Sequence, residues 1–437
     1  MKGRATPTRH AALETLRRVR TGDLADRALE HATRGLEPRD RAWTQELVYG
    51  TFRLRGRLDH VLDGLVRDGV AKLEEEVLDV LRLGAYQLLE MGSVPPYAAV
   101  SESVELARDA GASRAAGLVN GVLQNLHRRR DQLRFPSFEL DPAAHLATAG
   151  SHPRWLLDRW IARWGAEDVR ALVEANNARP ELYLRPLGMA RDEAAERLAA
   201  AGIAAEPVSF SPDSLRIPPP GTAADALAVV PAVVQDPAAA LVVRYAAAPE
   251  GATVLDLCAA PGGKALGLAE PGTRVAAADL SRRRMRRVVE NAERIGWRDR
   301  VAAVVADARM PPFRPADVVL LDAPCTGTGT FRRHPDGRWR IAPHDLQALT
   351  ELQDQLLRAA AEVVRPGGVL VYSTCSLERE ENEDRMERFL AEHPDWSMSP
   401  APGAVDGALL DERGRLCVLP QRQGVDGAFA ARMRRNA

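Results

Sequence analysis

From Ala252 onward the chain repeats one unit: an apolar run, a turn, then a segment with helical spacing. The apolar runs are "TVLDLC" (253–258), "TRVAAAD" (273–279), "VAAVVAD" (301–307), "ADVVLLDAP" (316–324) and "GVLVYST" (368–374). Helix-like stretches lie between them, notably "SRRRMRRVVENAERIG" and "HDLQALTELQDQLLRAAAEVVRPGG". Strands that alternate with helices pair in parallel, because each crossover returns the chain to the same end of the sheet. This alternation predicts an α/β fold with a mostly parallel, doubly wound sheet. Such sheets bind ligands beyond the carboxyl ends of their strands. The residues at or just past those ends are Cys258, Asp279, Asp307, Asp322 and Cys375.

The remainder is built differently, as expected for 437 residues, a length too great for one ordinary core. Residues 1–140 read as helix throughout. Leu54, Leu58, Val61, Leu62 and Leu65 form one amphipathic stripe; Val77, Leu78, Leu81, Ala85, Leu88 and Leu89 form another. The prolines of "SVPPYAAV" (93–100) end one helix and open the next. Residues 141–245 are mixed: "PELYLRPLG" and "DSLRIPPPG" suggest strands, while "RDEAAERLAAAG" and "AVVQDPAAALVVRYAA" suggest helices. The expected organisation is therefore an all-α domain (1–140), a small mixed α/β domain (141–245) and the doubly wound domain (246–437).

Bulk properties exclude little. A formal net charge of −1 gives no long-range attraction to nucleic acid, although positive charge is bunched at 127–134, 282–287 and 331–340. The Met1 end lacks the apolar core of a secretory signal, and no run of about 18 uncharged apolar residues occurs, so a cytoplasmic, membrane-free protein is expected. Cys258, Cys325, Cys375 and Cys417 show no C-x-x-C spacing, so reduced thiols are expected rather than a metal site or a disulfide framework. Nothing demands more than a monomer.

Two constellations carry chemistry. In "VLDLCAAPGGKALG", Gly262 and Gly263 follow the first strand and let backbone N–H groups approach a ligand closely. This is neither the G-x-G-x-x-G dinucleotide fingerprint nor a phosphate-cradling loop. Asp279, after the second strand, suits a ribose diol; Asp307, after the third, could accept from an adenine amine. Each could instead cap a helix. With the glycine turn they point to an adenosine-type cofactor. In the second constellation, Cys325 ("LLDAPCTGTGTFRRHPDGRW") and Cys375 ("VYSTCS") sit in polar loops at neighbouring strand ends, with Asp322 close by. Inert packing is the usual fate of a buried cysteine. Two thiols in polar loops facing one cavity fit a nucleophile that adds to an electron-poor ring, with a carboxylate contacting the substrate.

"DLCAAPGGK", "DAPCTGTG", "FRRHPDGRW" and "YSTCSLEREENE" closely resemble the signature motifs of the Nol/Nop/Sun family of RNA (cytosine-5) methyltransferases. "RDRAWTQELVYGTFRLRGRLDHVL", "GAYQLLEMGSVPPYAAVSESVELAR" and "LVNGVLQNLHRR" resemble the NusB-like domain of the family's bacterial small-subunit rRNA branch, and "HPRWLLDRWIARWG" continues the likeness. The resemblance covers nearly the whole chain and implies a Rossmann-like methyltransferase domain that uses S-adenosylmethionine. It implies that Cys375 adds to C6 of a cytosine, that Cys325 assists release of the adduct, and that Asp322 favours the adduct through N3 and lies near the cofactor. It implies that Cys258, Ala259, Ala260, Pro261, Gly262, Gly263 and Lys264 wrap the methionine part. Asp279 and Arg284 would serve the ribose side, and Asp307 the adenine side. Arg332, Arg333 and Arg338 would contact RNA phosphates, which position without reading sequence. Glu380, Glu381 and Asn382 fall within a family motif but read as structural, with the early acids favouring a helix start. Gln423 stands near a family His, Ala428 replaces a Phe, and "QDPAAAL" (235–241) has Ala for a Ser.

Small-subunit rRNA is the expected substrate. The same chemistry on tRNA, a noncatalytic RNA-binding or antitermination factor, and a nicotinamide dehydrogenase are the competing readings. Retention of both Cys325 and Cys375 argues against the binding factor, and the absent dinucleotide fingerprint argues against the dehydrogenase.

Overall fold

The structure, a computed structural model, describes residues 5–437 apart from Pro271 and Pro402. Its contacts group the chain into two compact units: residues up to Ala178 with Phe331–Arg340, and Arg179–Thr330 with Ile341–Ala437. The contact grouping divides the span 141–245 at Ala178. Those up to Ala178 group with the helices, and the remainder group with the sheet.

The helical unit contains α1 (Pro7–Arg20), α2 (Ala25–Ala32), α3 (Pro38–Arg53), α4 (Arg55–Asp63), α5 (Glu75–Glu90), α6 (Pro96–Asp109), α7 (Ala116–Arg129), α8 (Pro142–Thr148), α9 (Arg154–Trp164) and α10 (Ala166–Asn177). The predicted stripes are its core. Leu58, Val61 and Leu62 of α4 and Val77, Leu78, Leu81 and Ala85 of α5 are buried. Leu54, Leu65, Leu88 and Leu89 line their edges. Each fully buried leucine here contributes about 1.5–3 kcal/mol of transfer free energy. The paired prolines act as expected, with α5 ending at Glu90 and α6 opening on Pro96.

The second unit begins with β1 (Leu182–Pro186), α11 (Arg191–Ala200), β2 (Glu206–Pro207), β3 (Leu215–Ile217), α12 (Ala223–Val229), β4 (Ala232–Val234) and α13 (Pro237–Ala246). Its strands form an antiparallel sheet in the order β2-β3-β1-β4. The larger sheet follows with β5 (Thr253–Leu257), α14 (Gly263–Leu268), β6 (Arg274–Asp279), α15 (Arg282–Arg294), β7 (Val301–Val305) and β8 (Ala316–Asp322). A short α16 (Gly337–Arg340) groups with the helical unit. The chain then returns as α17 (Pro343–Glu362), β9 (Val364–Thr374), α18 (Glu383–Glu392), β10 (Trp396–Met398), β11 (Leu416–Val418), α19 (Pro420–Gln423) and β12 (Ala428–Arg435).

Strand order in the large sheet is β10-β12-β9-β8-β5-β6-β7, with β11 beside β12. The five strands expected from sequence pair in parallel; the late strands β10, β11 and β12 add antiparallel pairing. Strand periodicity sends alternate residues to opposite faces. Val254, Val318, Leu320, Val369 and Val371 pack with α13, α14 and α15. Leu255, Leu257, Val319, Leu321, Leu370 and Tyr372 pack with α17 and α18. From β5 the chain winds outward to β6 and β7, then crosses back to β8 on the other flank of β5. This reversal opens a crevice beyond the ends of β5 and β8, the place where a doubly wound sheet accepts ligands.

Candidate active site

The loop leaving β5 is shaped for close backbone approach. Cys258 and Gly262 have positive φ (68° and 103°), and the Ala260–Pro261 bond is cis. A Cβ on Gly262 would lie 3.1 Å from the Val288 backbone, so neither the conformation nor the space admits a side chain. The Ala259 N–H donates to Ala278 O at 2.8 Å, tying the loop to β6. Burial, with Asp322 next, pushes the Cys258 thiol up to about 12, so it stays a neutral thiol.

At the end of β6, Asp279 is buried. Its Oδ1 accepts from the Ser281 N–H (2.8 Å) and from the Arg284 guanidinium (2.9 Å). Its Oδ2, also buried, has no hydrogen-bond partner among the described residues. Ser281, not Asp279, caps α15 through its contact with the Arg284 N–H, so the carboxylate remains available to a ligand hydroxyl. Asp307, beyond β7, holds the Arg309 guanidinium through both carboxylate oxygens, and this hydrogen bonding draws its carboxyl below the usual range.

Across the crevice, Lys264 Nζ donates to Asp322 Oδ2 at 2.7 Å, and Ser373 Oγ donates to Asp322 Oδ1 at 2.7 Å. Burial disfavours the Lys264 charge, but the Asp322 carboxylate outweighs it and holds the ammonium above its ordinary value. Asp256 in β5 was not anticipated. It is wholly buried, neither carboxylate oxygen has a partner among the described residues, and burial, reinforced by Asp322, drives its carboxyl well above the ordinary range. A lone acid within an apolar strand was the signal for it.

The two thiols meet. Cys325 Sγ and Cys375 Sγ are 3.4 Å apart, within hydrogen-bond reach for sulfur. Parallel pairing of β8 with β9 sets Asp322 opposite Ser373, and the loops beyond carry one cysteine each. The Gly329 N–H donates to Cys375 O (2.9 Å), and the Gly427 N–H donates to Gly329 O (2.7 Å). A Cβ on Gly329 would sit 2.7 Å from Cys375 O and 2.8 Å from Gly427 Cα, so only glycine allows this approach. The hydrogen bond with Cys375, then burial, raises the Cys325 thiol well above its ordinary value.

The acids after Cys375 divide. Glu383 and Asp384 occupy the first turn of α18, as the helix-start reading predicts. Glu381 instead turns inward and is wholly buried. Gln423, at the departure near the C-terminus, accepts the Leu419 N–H at 2.9 Å, and Ala428 opens β12 opposite Val418 of β11.

The arginine expectations need correction. Arg332 and Arg338 are buried and belong to the helical unit, where neither offers a surface for phosphate. The Arg338 guanidinium donates to the carbonyls of Arg53 (3.2 Å), Ser151 (3.2 Å), Asn176 (3.1 Å) and Phe331 (3.3 Å), and to Asn177 Oδ1 (2.8 Å). Arg53 and Asn176 lie in the last turns of α3 and α10, whose terminal carbonyls lack helical partners and carry the negative end of the dipole. A fixed fork of donors satisfies them, which is why this arginine is inside. Burial, with Arg53 adding, lowers its pKa to about 9, so it remains charged at neutral pH. Of the three, Arg333 retains surface exposure.

Among the described residues, no helix is long and apolar enough to cross a membrane, and no group of three or more His, Cys, Asp or Glu could hold a metal ion. Comparison with known proteins places each part. Residues 244–434 match the 16S rRNA methyltransferase RsmB/F family, residues 6–128 the NusB family, and residues 152–223 the RsmF/B-like ferredoxin-like domain. The chain is 37% identical to ribosomal RNA small subunit methyltransferase B of Sodalis glossinidius, covering 91% of this chain and 90% of that one. It is 35% identical to its Klebsiella pneumoniae counterpart over 96% of each. The crystal structure of PH0851 superposes with a TM-score of 0.80 at 26% identity, over 99% of this chain and 100% of that one. The chain belongs to the family of ribosomal RNA small subunit methyltransferase B and is an RNA methyltransferase.

Proposed function

We propose that the protein transfers a methyl group from S-adenosylmethionine to C5 of a cytosine in small-subunit rRNA, through a covalent bond between Cys375 and C6. The observation that carries this reading is the pair of thiols 3.4 Å apart beyond adjacent strand ends, beside a carboxylate held by Lys264 and Ser373. An RNA methyltransferase acting on ribose or on an exocyclic amine has no use for two apposed cysteines.

The residues present suit the cofactor. Asp279 Oδ2 is a buried acceptor for a ribose hydroxyl, with Arg284 balancing the carboxylate's charge. The Cys258–Lys264 loop offers unobstructed backbone for the methionine part, and Asp307 closes the adenine end. S-adenosylmethionine supplies an electrophilic methyl group.

The chain's own groups do the rest. The target base leaves its stack to reach the crevice. Cys375 passes its thiol proton to N3 of the bound cytosine and adds to C6 as thiolate, its electron pair forming the S–C6 bond. The Asp322 carboxylate stabilises the resulting N3–H. The pair displaced from the C5–C6 double bond makes C5 nucleophilic toward the methyl group. Cys325, once its own proton has left to solvent, takes the C5 proton; the freed pair restores the double bond and expels Cys375 as thiolate, which takes back the N3 proton. The 3.4 Å apposition of the thiols supports a pair that acts on one base.

An rRNA substrate implies work in the cytoplasm. The test supplies radiolabelled S-adenosylmethionine with small-subunit rRNA and bulk tRNA, each lacking the modification. Label recovered as 5-methylcytosine in rRNA is the expected result; label in tRNA alone keeps the chemistry and overturns the substrate.

A further inference from the structure

Glu381 is a buried acid that the chemistry above leaves unused. Its position is unusual in what it joins. Oε1 accepts from the Thr326 N–H at 2.9 Å and from Gln353 Nε2 at 2.9 Å, while Oε2 accepts from the Thr326 hydroxyl. Thr326 follows Cys325 directly, and its hydroxyl lies 3.1 Å from the hydroxyl of Ser376, which follows Cys375 directly. Gln353 of α17 also donates to Pro324 O at 2.9 Å, on the other side of Cys325. The Glu381 carbonyl accepts from the Tyr372 hydroxyl (2.7 Å) at the end of β9, and the neighbouring Asn382 donates to Ser376 O (2.8 Å). One side chain thus holds the residue after the first thiol, a glutamine that holds the residue before it, and, through Thr326, the residue after the second thiol.

We infer that Glu381 is a positioning residue for the two-thiol reaction, setting the separation of Cys325 and Cys375 without touching either. A buried acid costs folding free energy unless it is well satisfied. Glu381 is satisfied by donors from both cysteine loops and from α17, so its ordering is spent on the place where thiol geometry matters. Burial raises its carboxyl, and the bonds from Ser376, Thr326 and Gln353 oppose that rise. Misplacing a reacting group by about 1 Å can cost about 100-fold in rate.

This inference rests on the reading of Cys325 and Cys375 given above, so its test includes a readout independent of methyl transfer. In the full-length protein, diamide takes up the two thiol hydrogens, becomes the hydrazine and leaves a Cys325–Cys375 disulfide, whose rate of closure reports thiol apposition. Glu381→Ala is expected to slow closure at least about 10-fold, with Cys417 alkylation unchanged, and to lower kcat about 100-fold with the KM for S-adenosylmethionine within about twofold. Glu381→Gln, which keeps the shape and an acceptor for the Thr326 N–H, is expected to retain kcat within about 10-fold. If Glu381→Ala fails to fold, Thr326→Val replaces it and is expected to show the same split at about 3- to 10-fold. Wild-type closure and wild-type turnover in whichever of these folds overturn the proposal, as does a Gln variant as impaired as the Ala variant. Slow closure in a protein whose wild type makes no 5-methylcytosine would leave the positioning role standing and sink the catalytic reading instead.

Discussion

At the scale of single residues, burial at the site favours the neutral form of several groups. Burial raises the Cys258 thiol and the Asp256 carboxyl, and the bond with Cys375, then burial, raises the Cys325 thiol. Asp256 has a measurable signature. Its folded-state pKa lies above the unfolded value, so the stability it contributes is complete below about pH 4 and is lost as pH rises toward the folded value. Asp256→Asn removes that titration. The variant should gain stability relative to wild type as pH rises above about 4, read as urea midpoints of the sheet unit; parallel pH curves for the two proteins would count against it. The cysteines themselves were legible, because the ends of apolar strands are where an α/β sheet places chemistry. The Glu381 contact was not. In "LEREENE" nothing local distinguishes Glu378 and Glu381, which are buried, from Glu380 and Glu383, which are only partly so; for Glu381 the packing of α17 and the Cys325 loop decides it.

At the scale of elements, the two cysteine loops are held by backbone that tolerates no bulk. Gly329→Ala would push a Cβ into Cys375 O and Gly427 Cα, and neither backbone atom can yield as a flexible side chain would. The expected cost is about 1–3 kcal/mol of stability, with methyl transfer lost out of proportion and S-adenosylmethionine binding retained. Calorimetric titration of the cofactor beside a turnover assay checks this; equal losses in both would place Gly329 in general packing. The five parallel strands were readable as apolar runs. β10 and β11 span three residues each, too short for any period to register, and β12 interleaves arginines among its core residues. Those late strands matter for function, because β12 backs β9 and the turn before it supplies the Gly427 contact.

At the scale of the whole molecule, a basic stretch within the signature motifs turns out to be an anchor in the helical unit. A charge run reads the same in sequence whether it is solvated or folded inward, and only the convergence of helix ends on Arg338 reveals its role. Arg338→Ala should cost the helical unit about 3–5 kcal/mol, through the cavity and the orphaned carbonyls, and Arg338→Lys should recover only part of it. Thermal unfolding followed by hydrogen exchange in α3 and α10 tests this; an unchanged unit with weakened RNA binding would restore the phosphate-contact role. With a formal charge of −1 overall, the salt dependence of RNA binding should be shallower than that of about six phosphate contacts.

The central claim is the covalent step, and one measurement addresses it directly. A Cys325→Ala variant, given unmodified small-subunit rRNA and S-adenosylmethionine, should accumulate an RNA-bound protein that survives denaturation. Nuclease and protease digestion followed by mass spectrometry should then find a methylated cytidine on the peptide containing Cys375. An adduct on any other residue, or free 5-methylcytosine formed at the wild-type rate with no adduct, would contradict the two-thiol mechanism.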